Sequence, residues 1–196
     1  MREIGRLSLV LFIISGIAAL LLGATNYVTK DVIAEQIRLE NEKARMEVLG
    51  DAEEFQQLDE DLISAAAQSL GFDNLEVIEE VYEGISAGQA VGYTFKSVPR
   101  AYGGEITVLT GISIDGTVTG MRIVSHTETP GLGAKATDGS FMAQFENQSA
   151  TSPLQVIKSG TPGQNEISAI TGATITTEAI AQGVNYSIEM FNELNK

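Results

Sequence analysis

Residues 7–29 form an uncharged run of 23 positions between Arg6 and Lys30, with LSLVLFIISGIAALLLGA at its core. At about 1.5 Å per residue a 20-residue helix spans roughly 30 Å, the thickness of a bilayer core, so the pattern predicts a membrane-spanning helix. The run has no polar stripe, which argues against the core helix of a soluble domain. Arg2 and Arg6 precede it, and the positive-inside rule then leaves the N-terminus in the cytoplasm and exports the rest. A cleaved signal peptide starts with the same charged flank. This run is longer than a typical signal core and no clean A-x-A site follows it, so a retained anchor is expected.

Residues 30–50 mix both charge signs with Val32, Ile33, Ile37, Ala44 and Leu49, a pattern for a juxtamembrane helix continuous with the anchor. From Asp51 to Glu83 there are 11 acidic residues and no basic one, the signature of a solvated face. Phe55, Leu58, Leu62, Ile63, Ala66 and Leu70 recur at helical spacing up to Gly71, so a helix is expected there. The period then changes. Segments 75–82, 90–95, 105–114 and 117–124 are β-branched runs broken by glycine, and Asp115-Gly116 between two of them reads as a tight hairpin. A short helix is expected over 139–145. Ile180, Val184, Ile188 and Phe191 fall on one face of a terminal helix starting near Thr176 or Thr177. The whole predicts an α+β protein: residues 1–29 N-terminus and anchor, 30–50 juxtamembrane helix, 51–196 one exported domain with a mainly antiparallel sheet and flanking helices.

Composition narrows the chemistry. The chain has 196 residues, 12 Lys+Arg against 26 Asp+Glu, one His, no Cys and no Trp. A net charge of −14 opposes a phosphate backbone, which excludes nucleic acid as a partner. Without thiols there is no disulfide, zinc knuckle or cysteine-held iron–sulfur cluster, and one His makes no multi-His metal site. Redox chemistry here needs an organic cofactor. Residues 30–196 carry 10 basic and 25 acidic groups, a net −15, concentrated toward the membrane-proximal half.

Three motifs carry candidate chemistry. Thr171-Gly172-Ala173-Thr174 places two hydroxyls around two residues with little or no side chain, just before the terminal helix. Such a place suits a phosphate at a helix N-terminus, or it is an N-capping turn with Thr176 or Thr177 as the cap. Residues 125–133, SHTETPGLG, hold the only His, His126, and a Pro-Gly turn. Tyr102-Gly103-Gly104-Glu105-Ile106 opens a strand with a Gly pair and lacks the P-loop Lys and spacing. The sequence shows no acid–base pair, nucleophile constellation or metal ligand set, so no catalytic residue is assigned.

Taken in order, YGGEI, the DG hairpin, HTETPGLGAK and ITGATIT before a terminal helix closely resemble the FMN-binding domain of the RnfG family. These are the G subunits of the Rnf ion-translocating electron transport complexes, ferredoxin:NAD oxidoreductases. The C subunits of Na⁺-translocating NADH:quinone reductase, NqrC, are the nearest related family and are usually longer. The resemblance runs from residue 101 to the C-terminus, and ETPGLG followed by [ST]GAT is its specific part.

The resemblance implies FMN joined through its phosphate to the hydroxyl of Thr174. Thr171, Gly172 and Ala173 would shape the backbone around that phosphate, and Glu128, Thr129, Leu132 and Gly133 would lie against the flavin and its ribityl chain. It also implies a flavin transferase using FAD, the A, B, C, D and E proteins of the Rnf complex as partners, and a single-pass bacterial membrane protein with its FMN domain outside the cytoplasm. The chain would relay electrons from ferredoxin toward NAD with coupled Na⁺ or H⁺ translocation. One position departs from the family: Ser168 stands where an Asp is usual, and the nearest acid is Glu166. That bears on recognition by the transferase and leaves the acceptor hydroxyl in place. An NqrC-like protein, a non-redox anchored sensory or assembly module, and a free-standing exported reductase are the alternative readings.

Overall fold

The computed structural model describes residues 2–72 and 77–196. The chain divides into two units, Met1–Glu42 and Lys43–Lys196. Packing therefore starts the folded unit at Lys43, inside the stretch expected to be a juxtamembrane helix, and not at 51.

The first unit is helical. Helix α1 spans Arg2–Val48, and by length and composition its apolar part can cross a membrane. Leu7, Phe12 and Leu22 project outward with 70–76% exposure, as side chains in contact with lipid would. Past the apolar run, Arg38 pairs with Glu35 at 2.8 Å and Glu42 at 2.5 Å. These i,i+3 and i,i+4 pairs on the exposed helix surface stabilise it only slightly.

The second unit is built on an antiparallel meander. Strands β1 (Glu54–Gln57), β2 (Ile78–Ser86), β3 (Gln89–Ser97), β4 (Ile106–Ser113), β5 (Thr117–His126) and β6 (Gln148–Ser149) stand in sequence order in one sheet. Strands β7 (Gln155–Ile157) and β8 (Glu166–Ser168) form a separate parallel pair. Helices α2 (Glu60–Ser69), α3 (Gly139–Met142) and α4 (Thr174–Leu194) complete the α+β architecture expected from the sequence. The core lies between one sheet face and α4. Val81, Phe95, Val108 and Ile112 from the strands meet Ile180, Val184, Ile188 and Phe191, and all eight are buried. The stripe at spacings of 4, 4 and 3 is thus the buried face of the terminal helix.

Two predicted elements differ in extent. Phe55 sits in β1, opposite Gly84, and the Leu58 N–H bonds Val81 O. Neither belongs to a helix. The Asp59 carboxylate accepts from Asp61 N–H at 3.0 Å and caps α2 at its start, so the buried stripe shifts to Ile63, Ala66 and Ala67. Gly71 ends α2 as expected, in a Schellman arrangement with Gly71 N–H on Gln68 O and Phe72 N–H on Ala67 O. The strand expected over 75–82 is observed from Ile78 to Ser86, and Leu75 and Glu76 lie outside the described residues. The Asp115-Gly116 hairpin joins β4 to β5, and the short helical segment at 139–145 is α3 continued by a 3₁₀ turn, Ala143–Phe145.

The opposite sheet face receives the end of α1. Val48 and Leu49 are 2% and 1% exposed and lie over Gly84, Gly92, Gly111 and Gly120, one from each of β2 to β5. A Cβ at Gly111 would overlap the Val48 carbonyl, and one at Gly84 would come within 2.5 Å of Leu49 Cδ2. The Thr119 hydroxyl bonds Val48 O, Arg122 pairs with Glu47 at 2.7 Å, and Arg45 stacks over the Tyr82 ring at 4.0 Å. Beside them Lys96 bridges Glu79 and Glu80 at 3.0 and 3.1 Å. Burial alone would lower the Lys96 pKa, but the two carboxylates outweigh it and hold the ammonium above its ordinary range.

Asn165 ties β6 to the β7–β8 pair. Its amide donates to Ser149 O, Ser152 O and Ser152 Oγ, and its carbonyl accepts from Ser149 N–H. It also holds a positive φ of 57°, which Asn tolerates better than Ala. Asn165→Ala is expected to destabilise the folded unit by about 2–3 kcal/mol in chemical denaturation.

Candidate functional site

The site forms where three chain segments meet near the start of α4. In the ITGAT segment, Ala173 N–H bonds Ile170 O at 2.9 Å and closes a turn over Thr171-Gly172. Gly172 takes φ +78°, the left-handed value that the third residue of such a turn needs. A Cβ there would also reach Leu132 Cδ2 at 3.3 Å. Thr177 is fully buried. Its hydroxyl accepts from Ile170 N–H and donates to Ala173 O, each at 3.0 Å, fastening the turn to the helix.

This geometry corrects the capping reading. Helix α4 begins at Thr174, its cap residue is Ala173, and no side chain caps it. Thr176 and Thr177 lie inside the first turn with their hydroxyls committed elsewhere. The first N–H groups of α4 are therefore open, which makes the end a suitable seat for an anionic group.

The 125–133 loop is folded onto this helix end. The Glu128 carboxylate, in a residue 7% exposed, accepts from Gly103 N–H at 2.6 Å on one oxygen and from the Thr176 hydroxyl at 2.8 Å on the other. One side chain thus joins the YGG and ETPGLG segments to the first turn of α4, just after TGAT. Thr127 Oγ1 donates to Gly103 O at 2.9 Å, and Thr129 O accepts from Leu132 and Ala134 N–H. Gly133 packs against the Glu128 carboxylate so closely that a Cβ would overlap Oε2. His126 Nδ1 accepts from Glu128 N–H at 3.2 Å, so the single His braces the loop.

Between these segments lies a cavity of about 400 Å³, within the usual size of small-molecule clefts. Glu128, Thr129, Leu132 and Gly133 line one side, and Gly172 and Ala173 the other. Six of the eight residues singled out in the sequence therefore share one wall system. The other two adjoin it: Thr171 is exposed on the turn and Thr174 is half-buried at the first helical position. Among the described residues, neither hydroxyl makes a side-chain hydrogen bond. Tyr102, Ile175 and Thr176 also line the cavity and carry no cofactor role in the sequence reading. Tyr102 and Ile175 are apolar side chains next to motif glycine or hydroxyl positions, and that adjacency was the available signal. Ser168 and Glu166 do not line it. Ser168 N–H bonds Gln144 Oε1, and the Glu166 carboxylate accepts from Gly163 N–H in its own turn.

The FMN-binding domain family matches residues 101–189, and the RnfG N-terminal region family matches residues 1–48. Over its whole length the chain is 47% identical to the G subunit of the Na⁺-translocating ferredoxin:NAD⁺ oxidoreductase complex of Acetobacterium woodii, covering 95% of that protein. The chain belongs to the RnfG family. The G subunit of the proton-translocating ferredoxin:NAD⁺ oxidoreductase complex of Clostridium ljungdahlii is 33% identical over 88% of this chain and 83% of its own. In fold, this RnfG chain is similar to NqrC of Parabacteroides distasonis, with a TM-score of 0.58, 18% identity, and 82% and 94% of the two chains covered. NqrC of Shewanella oneidensis gives 0.53 at 19% identity over 59% and 60%.

The cavity of this RnfG chain fits FMN on three counts. Tyr102, Leu132 and Ile175 are 71, 45 and 56% exposed around it, an apolar surface matched to a flat aromatic ring system. Glycines at 133 and 172 let backbone reach the cavity without side-chain obstruction. The uncapped α4 end offers N–H donors for a phosphate. Gly133→Ala drives a methyl into Glu128 and is expected to lower FMN incorporation about tenfold, the effect of roughly 1.4 kcal/mol, read as flavin absorbance per protein.

Proposed function

We propose that this chain carries FMN as a phosphoester on Thr174 and serves as an electron-carrier subunit of a membrane-bound, ion-translocating ferredoxin:NAD⁺ oxidoreductase of the Rnf type. The observation that carries this reading is the 47% identity along the whole chain to the G subunit of Acetobacterium woodii, joined to a cavity built from the motif residues. Bound FMN exchanges one or two electrons, which suits a relay between carriers of different electron count. The protein's part is to hold and orient it. The α4 N–H groups receive the phosphate, Thr174 supplies the linking oxygen, and Tyr102, Leu132 and Ile175 shelter the ring system from water.

Thr174 is favoured over Thr176 and Thr177 by its freedom, and over the equally free Thr171 by its place at the first position of α4. Its hydroxyl is uncommitted among the described residues, whereas those of Thr176 and Thr177 are engaged with Glu128 and Ala173. A flavin transferase installs the group, with FAD as donor. Helix α1 anchors the chain, the N-terminus stays in the cytoplasm beside Arg2 and Arg6, and the FMN domain lies outside. A covalent bond keeps the carrier loaded where no FMN pool refills it, and the tether holds the domain near its partner subunits, which raises effective concentration. Those partners are the remaining Rnf subunits.

Vesicles containing the complete complex should couple ferredoxin-dependent NAD⁺ reduction to Na⁺ or H⁺ uptake. Omitting this chain should abolish both together. Full electron transfer and uptake without it would overturn the reading.

A further inference from the structure

Glu128 is unusual among the cavity residues in bringing a charge to an otherwise neutral wall. Among the described residues no Lys or Arg forms an ion pair with it. Its two oxygens are instead fixed by one backbone N–H and one hydroxyl, Gly103 and Thr176. Those donors hold the carboxylate in place without cancelling its charge, and it packs against Gly133 in space that a Cβ there would take.

We propose that Glu128 sets the redox potential of the bound flavin, as an immobile carboxylate in the cavity wall that opposes the arrival of electrons. The inference rests on the FMN reading above and extends it. Charge–charge interactions in a partly buried site are felt more strongly than in water, and charge placed near a flavin is a recognised means by which a protein adjusts it. Reduction brings negative charge to the ring system, or demands a proton to offset it. A fixed negative group at the wall makes either course harder, so the potential is held low, on the ferredoxin side of the couple. The same carboxylate ties three segments together, so the test must separate charge from architecture.

Two nearly isosteric variants of the full chain, loaded with FMN by a co-produced transferase, make that separation. Glu128→Gln removes the charge and keeps the side chain's shape. Thr176→Val removes one of the two donors and keeps the charge, now less well offset. Spectroelectrochemical titration should give a higher midpoint potential for Glu128→Gln than for wild type, and a lower one for Thr176→Val. A purely architectural role would move both variants in the same direction. Loaded Glu128→Gln at or below the wild-type potential overturns the inference, as does Thr176→Val at or above it. If Glu128→Gln fails to take up flavin, the sign of the Thr176→Val shift still decides. A wild-type chain that takes up no flavin overturns the FMN reading, and this inference with it.

Discussion

Replacing Thr174 by alanine is expected to abolish flavin fluorescence in a denaturing gel, while the same chain folds and inserts as wild type does. The expectation rests on the proposed phosphoester, and the local geometry accords with it. Thr174 is the first residue of α4, it is half-buried, and the helix end beside it lacks a side-chain cap. The neighbouring threonines occupy different roles. Thr177 braces the turn through Ile170 and Ala173, and Thr176 bonds Glu128. Thr176→Val and Thr177→Val should therefore keep the covalent fluorescence even where they lower stability. Thr174→Ser, which keeps the hydroxyl, should keep it too. Fluorescence surviving denaturation in the alanine variant would place the bond elsewhere.

The second large effect concerns the start of the folded unit. A domain beginning at Lys43 is expected to unfold as one cooperative unit, whereas a domain beginning at Asp51 should be less stable by about 4 kcal/mol. Deleting residues 43–50 removes Val48 and Leu49 from nearly complete burial, each contributing about 1.5–3 kcal/mol. It also leaves four sheet glycines uncovered and strips the Arg45 stack from Tyr82. For a unit of this size such a loss lowers Tm by roughly 10 °C. Gly111→Val in the longer domain should reproduce much of the effect, about 2–3 kcal/mol, because the new side chain meets the Val48 backbone. Equal stability of the two truncations in urea would contradict the docking of the α1 end.

How far the sequence reveals this molecule depends on the range of the interaction concerned. Local periodicity announced α4, because its buried positions repeat at helical spacing, and the β4–β5 hairpin, because Asp-Gly is a turn signal between alternating runs. The long apolar helix at the N-terminus, able by length and composition to cross a membrane, is legible from an uncharged run alone. Phe55 and Leu58 misled because an apolar spacing of three or four is also met by chance across a strand, a cap and a helix; only the β1–β2 ladder and Asp59 separate them. The glycine-lined sheet face was invisible, since Gly84, Gly92, Gly111 and Gly120 are far apart in sequence and meet only when the strands pair. At the site, motif order pointed to the segments that form the cavity. The tie from Glu128 to Thr176 spans 48 residues, and no local pattern could announce it. Tyr102 and Ile175 were hidden for a different reason: their one mark was adjacency to motif positions, which does not announce a cavity wall until the segments come together.

Intact-mass analysis of the full chain produced with a flavin transferase, followed by peptide fragmentation, tests the central claim most directly. The account predicts a single FMN phosphoester, carried by the peptide that follows Lys158 and located on Thr174 by fragmentation. An unmodified chain, or an adduct on Thr171, Thr176 or Thr177, would contradict it.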